Sequence, residues 1–211
     1  MNDLLLQPFT KEEIKHALFQ IKAPGPDGMI ALFFQKFWNI VGNDVTIAVL
    51  DFLNTSKMLG SINFAHIALI PQVKSVESIG QLRPISLCNV VYKIISKVLV
   101  NRMKGILPRV ISDSQSAFVL GRMIIDNVII AFETLHYLKN QRGGNNMQIA
   151  AKLDMSKAYD RVEDMSKAYD RVEWDYLEAI FLKLGFHAQW VRLIMECVRS
   201  PTYSVMVNGA P

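Results

Sequence analysis

The strongest constraint on this chain's fold is a ten-residue segment written twice without a gap. Asp154-Met-Ser-Lys-Ala-Tyr-Asp-Arg-Val-Glu163 is followed at once by an identical Asp164-Met-Ser-Lys-Ala-Tyr-Asp-Arg-Val-Glu173. A single repetition of this length is too short for a solenoid and reads as a local duplication, in the gene or in the assembled sequence. Only the first copy follows an apolar run. Gln148 to Leu153 is too short for a helix and follows the turn signal Gly143-Gly-Asn-Asn146, so it is expected to form a buried strand. Only the second copy leads into the apolar-periodic stretch that begins near Trp174. A working fold would take Asp154 from one copy and Asp170 from the other, and the surplus residues must loop out. If they lengthened the helix instead, they would add about 15 Å and turn its downstream face by roughly 280°, which would misdirect the apolar stripe.

Asp154 stands where the expected strand ends. A carboxylate at the tip of a rigid strand can hold a divalent cation with little reorganisation. Asp160-Arg-Val-Glu163 has the pattern of a capping box, with Asp160 as N-cap, so Asp160 and its counterpart Asp170 are read as caps rather than ligands. With 211 residues, 51% of them hydrophobic, the chain can bury a sizeable core as one large domain or two small lobes, which excludes a disordered segment. Cys88 and Cys197 lie far apart outside any Cys-x-x-Cys pattern, which argues against zinc and for a reducing compartment. The first residues lack the form of a signal peptide, and no apolar run approaches membrane-spanning length. The expectation is a soluble intracellular protein, nuclear or cytoplasmic, with no membrane partner. A net charge of +4 is compatible with a polyanionic partner without establishing one.

Along the chain, Thr10-Lys-Glu-Glu13 opens an amphipathic helix through about Ile21, with Ile14, Ala17, Leu18 and Ile21 on one face. Pro24-Gly-Pro-Asp-Gly28 forces a tight turn, either a plain connector or a loop whose free backbone N–H groups approach phosphates. Residues 31–54 read as two helices broken near Gly42-Asn-Asp44, with Phe33, Phe34, Phe37, Trp38, Ile47, Val49, Leu50 and Phe52 in the core. Phe64 to Ile70 is expected to be a strand stopped by Pro71, with Leu82 to Leu87 as its antiparallel partner and His66 as a satisfied core histidine. Residues 89–106 form a helix with one stripe of Val91, Ile94, Ile95, Val98, Leu99 and Met103 and another of Lys93, Lys97, Asn101 and Lys104. The lysine stripe is either a solvated surface or a nucleic-acid face. The next helix, 126–138, carries Val128, Ile129, Phe132 and Leu135 as structural residues. Two further helices are expected from about Trp174 to Leu184 and from Ala188 to Arg199. Tyr203-Ser-Val-Met-Val207 then reads as a strand with an unpaired edge, followed by the turn pair Asn208-Gly209.

Five motifs in order carry a resemblance. They are Ala23-Pro-Gly-Pro-Asp-Gly28, Leu69-Ile-Pro71, Arg83-Pro-Ile-Ser-Leu-Cys-Asn89, Gln115-Ser-Ala-Phe-Val-Leu-Gly-Arg122 and Leu153-Asp-Met-Ser-Lys-Ala-Tyr-Asp160. Together they resemble the reverse transcriptase of retrotransposons that lack long terminal repeats, in the form common in plant genomes, over nearly the whole chain. The resemblance implies an α+β fold: the fingers and partial palm of a right-hand polymerase, helices with a small antiparallel sheet, incomplete at the C-terminus. Residues 1–147 would be fingers and fingers–palm connection, and 148–211 the first part of the palm.

The same resemblance assigns roles. Asp154 would bind Mg2+ and the Met155 carbonyl would complete one metal shell, in a reaction that joins a deoxynucleoside triphosphate to a DNA primer on an RNA template. Tyr159 matches the ring that crowds a ribose 2′ hydroxyl. Arg83 matches an arginine that grips the triphosphate, while Gln115 and Arg122 help seat the template and the nucleotide pocket. Lys93, Lys97 and Lys104 would face nucleic acid. Two departures stand out: Gln72 replaces the lysine usual after the proline, with Lys74 nearby to compensate, and no Asp-Asp pair occurs anywhere in the sequence. The isolated chain is therefore expected to be an inactive fragment of an RNA-directed DNA polymerase. The alternative is a non-catalytic, nucleic-acid-binding remnant of a decayed retroelement; an unrelated metal-dependent hydrolase is a distant third.

Overall fold

A computed structural model describes residues 1–25, 27–112, 115, 119, 121–140 and 173–206. The chain divides into two compact units, one made of Met1–Met103 with Tyr159–Pro211 and the other of Lys104–Ala158.

The first unit opens with the short helix α1 (Asn2–Leu5), then α2 (Lys11–Phe19), α3 (Ala31–Lys36) and α4 (Trp38–Thr55). At α2 the capping box forms as expected: Thr10 Oγ1 accepts from the Glu13 N–H, and a Glu13 carboxylate oxygen accepts from the Thr10 N–H. Ile14, Ala17 and Leu18 are buried on its inner face, against α3 and α4. The break between α3 and α4 falls at Phe37, not at Gly42-Asn-Asp44. Gly42 lies inside α4 because the Trp38 ring, one turn earlier, covers it; a Cβ there would sit 2.8 Å from the indole. Only part of the expected aromatic core is core. Val49 and Phe52 are buried, whereas Phe37 is exposed and Ile47 is 67% exposed.

Strand β1 (Phe64–Pro71) pairs antiparallel with β2 (Leu82–Cys88) from Ala65–Cys88 to Pro71–Leu82. The strand expected near 203 also pairs. As β3 (Thr202–Met206) it runs parallel to β1, from Phe64–Thr202 to Ala68–Met206, giving the order β2-β1-β3. The sheet is thus mixed rather than antiparallel, and β3 already has a partner along one side. His66 Nδ1 lies 2.5 Å from Ser204 Oγ across that pairing, so the histidine is satisfied as expected, though half-buried rather than in the core. Helix α5 (Val90–Lys104) buries Val90, Ile94, Ile95, Val98 and Leu99. Helices α8 (Trp174–Lys183) and α9 (Ala188–Arg199), numbered after the two helices of the other unit, pack on each other, and α9 buries Trp190, Val191, Leu193, Met195 and Cys197. Asn2 ties the chain's start to their connection, its amide donating to the Gly185 carbonyl at 2.9 Å and accepting from the His187 N–H at 3.1 Å.

In the second unit, α6 (Leu107–Val110) and α7 (Ile124–Asn140) are the helices among the described residues beyond the last residue of α5. Asp126 starts α7 by accepting from the Met123 N–H. Val128, Ile129, Phe132 and Leu135, read as structural residues, are all exposed, Phe132 by 70%. No described helix is long and apolar enough to cross a membrane.

Candidate nucleic-acid interface

The Pro-Gly turn and α5 form one structure. Gly25 N–H donates to the Met29 carbonyl at 2.8 Å, Gly28 N–H to the Gly25 carbonyl at 3.3 Å, and Met29 N–H to Asp27 Oδ1 at 3.0 Å. These three N–H groups are used within the turn, so they are not free donors for a phosphate. An added Cβ at Gly25 would lie 2.6 Å from Asp27 Oδ1 and 3.3 Å from the Met29 carbonyl, so the Asp27 side chain would have to shift and give up its bond to the Met29 N–H. Gly28 is favoured by its φ of +75°.

Lys93, on α5, reaches into this turn and donates to the carbonyls of Pro24 at 2.5 Å and Ala23 at 3.4 Å. Burial lowers its pKa, opposed by the nearby Cys88 and the Asp27 carboxylate. Lys97, one turn on, is half-buried, as is Lys104 at the end of the helix, which belongs to the second unit. Lys93 and Lys97 thus share one helix with the turn attached, but only one of the two ammonium groups is committed to protein carbonyls.

Arg83 is exposed on β2, paired in register with Ile70 near the end of the hairpin. The connection from β1 to β2 is exposed nearly throughout, closed at its base by Gln72 N–H on the Gln81 carbonyl at 2.8 Å, and carries Lys74. A planar cation at such a hairpin base is suited to forked contact with a phosphate. In the second unit, Arg122 Nη1 donates to the carbonyls of Ser112 and Gln115, at 2.5 and 2.7 Å, so Gln115 and Arg122 are brought together by the backbone. Gly121 allows that return with a φ of +82°. Asp154, Met155 and Tyr159 lie outside the described residues.

The two thiols are chemically quiet. Burial pushes the Cys88 thiol up, and Cys197 is pushed up to about 12 by burial and then by Glu196, so neither is a thiolate at neutral pH. Tyr92, which donates to the Cys197 carbonyl at 3.1 Å, is also shifted upward, first by burial. Among the described residues no three His, Cys, Asp or Glu side chains gather where they could hold a metal ion.

One structural residue escaped the sequence reading. Arg102 pairs with Glu13 across 89 positions, and nothing in the local pattern of either residue signals it.

Residues 71–163 match the family described as reverse transcriptase (RNA-dependent DNA polymerase). The match ends at Glu163, the last residue of the first repeat copy. The chain is also similar to the uncharacterized 149 kDa protein of transposon TX1 from Xenopus laevis, 31% identical over 204 residues. That similarity covers 95% of this chain and 15% of the transposon protein, so the chain spans a small part of the length of the relative it matches.

Proposed function

We propose that the chain is the fingers (residues 1–147, with the fingers–palm connection) and the first part of the palm (148–211) of a right-hand polymerase from a plant-type retrotransposon without long terminal repeats. In the complete protein its reaction is RNA-directed DNA synthesis, with an RNA template, a DNA primer and deoxynucleoside triphosphates, inside the cell in nucleus or cytoplasm. The carrying observation is the reverse transcriptase match over 71–163, which contains three of the five ordered motifs in full, begins at the last residue of a fourth, and includes Asp154.

Asp154 and the Met155 carbonyl are the residues that would hold Mg2+. They fit by donor type alone, since hard oxygen ligands are what magnesium takes. When bound, the metal would supply charge neutralisation and activation of the primer hydroxyl. The chain's own residues do the rest: Arg83 grips phosphate, Tyr159 crowds the sugar, Gln115 and Arg122 support the pocket, and Lys97 and Lys104 attract the nucleic-acid backbone. The isolated chain does not polymerise in this reading, because one carboxylate cannot complete a two-metal site and the repeat interrupts the segment that follows Asp154.

The test is anisotropy with a labelled primer–template, followed by primer extension with magnesium. Binding that weakens with salt, without extension, supports the reading, and the slope should fall by about 0.7–0.9 for each phosphate contact removed. Extension that disappears in Asp154→Asn would overturn the claim of inactivity. The repeat itself favours a second reading, a decayed element that retains binding alone. The two diverge when one copy of the repeat is deleted and paired carboxylates are supplied by appending the following part of a palm from an active relative, which restores extension only under the first.

A further inference from the structure

The lysine stripe of α5 is not uniform. Lys93 Nζ is spent on the carbonyls of Ala23 and Pro24, its stem half-buried, while the exposed side of the turn holds Asp27 and Gly28. The turn's own N–H groups at Gly25, Gly28 and Met29 are bonded internally. What joins this closed turn to the helix through charged, directional bonds is therefore the Lys93 ammonium.

We propose that Lys93 is a positioning residue rather than a phosphate contact: its ammonium fixes the turn at Ala23–Met29 against α5, and the turn together with Lys97 presents the nucleic-acid surface. This rests on the nucleic-acid reading above, but the anchoring itself can be tested without any ligand. An ammonium bound to two carbonyls has fewer free N–H donors to offer a phosphate, so the charge most available to a backbone phosphate on this face is that of Lys97.

The experiment uses the full chain with Lys93→Met, Lys93→Arg and Lys97→Gln, each compared with the unaltered protein. In Lys93→Met, amide exchange at Gly25, Gly28 and Met29 should quicken by roughly tenfold or more while the amides of α4 keep their protection. Lys93→Arg, which keeps the donors, should restore much of the protection. Primer–template affinity should fall in Lys93→Met with an unchanged salt slope, whereas Lys97→Gln should flatten the slope by about 0.7–0.9. Unchanged exchange in Lys93→Met, or a slope that flattens there as it does in Lys97→Gln, overturns the proposal. If no variant and not even the unaltered chain binds nucleic acid, the functional reading fails while the exchange result still decides the anchoring. Should Lys93→Met fail to fold, Lys93→Gln is read in the same way, and unchanged exchange at Gly25, Gly28 and Met29 in that variant would overturn the anchor.

Discussion

Arg102 uses all of its N–H groups at once. Nε and Nη2 grip the two Glu13 carboxylate oxygens at 2.8 Å, Nη1 donates to the carbonyls of Leu5 and Gln7, and Nη2 also reaches that of Pro8. The guanidinium also lies 3.7 Å from the centre of the Phe9 ring. With its side chain 8% exposed, it fastens the first nine residues to α5. Arg102→Ala leaves these carbonyls and a carboxylate without their donor and should cost roughly 3 kcal/mol in a denaturant melt. Arg102→Lys should recover only part of this, because an ammonium cannot reproduce the planar fork. The pair also sets a pH dependence. Hydrogen bonding to Arg102 is the largest influence on Glu13 and holds its pKa below the ordinary range, against the opposing effect of burial. A carboxyl depressed in the folded state adds stability above its unfolded pKa and loses it as the pH falls through the folded one. Stability should therefore decline below about pH 4, and the decline should be shallower in Glu13→Gln. Identical acid profiles for the two proteins would remove Glu13 from the account.

Among the elements, α4 shows where local signals mislead. Gly42-Asn-Asp44 has the composition of a helix break, yet the helix continues because Trp38 lies over Gly42 and occupies the space of a side chain. Gly42→Ala therefore sets two effects against each other, a helix-propensity gain of about 1 kcal/mol and an overpacking cost of roughly 1–3 kcal/mol. The cost should win, and in a Trp38→Ala background the same change should become stabilising; a gain in both backgrounds would refute the packing argument. Helix α2 is the opposite case. Its cap was legible because Thr10 and Glu13 are three residues apart, and Thr10→Ala should cost about 1 kcal/mol. The sheet was half legible for the same reason of range. β1 and β2 are joined by a short connection, whereas the β1–β3 pairing joins His66 to Ser204, 138 positions apart, which no local pattern encodes. The apolar positions of α7 had helical spacing, and spacing names a face without naming what covers it.

At the scale of the molecule, the candidate site was legible as motifs and less so as geometry. The order of the motifs led to the reverse transcriptase family, and residues 71–163 match it. That Lys93 turns toward the Pro-Gly loop and Arg122 toward the carbonyls of its own segment depends on where the backbone passes, which residue type does not encode. The repeat poses the remaining question about the whole chain. Because its copies are identical, deleting either one yields a single sequence in which Leu153 leads into one copy and that copy into Trp174. If the surplus loops out, the deletion removes slack between elements already in place. Shortening such a loop by half is worth about 0.6 kcal/mol, so the deleted chain should melt roughly 1–2 °C higher with undiminished cooperativity. If the surplus instead extends a helix, deletion swings the downstream face by roughly 280° and pulls α8 and α9 from their seats. Trp190 and Leu193 are fully buried, so the melt would then fall and broaden. A higher, sharp transition supports the loop, and a lower, broad one supports the helix.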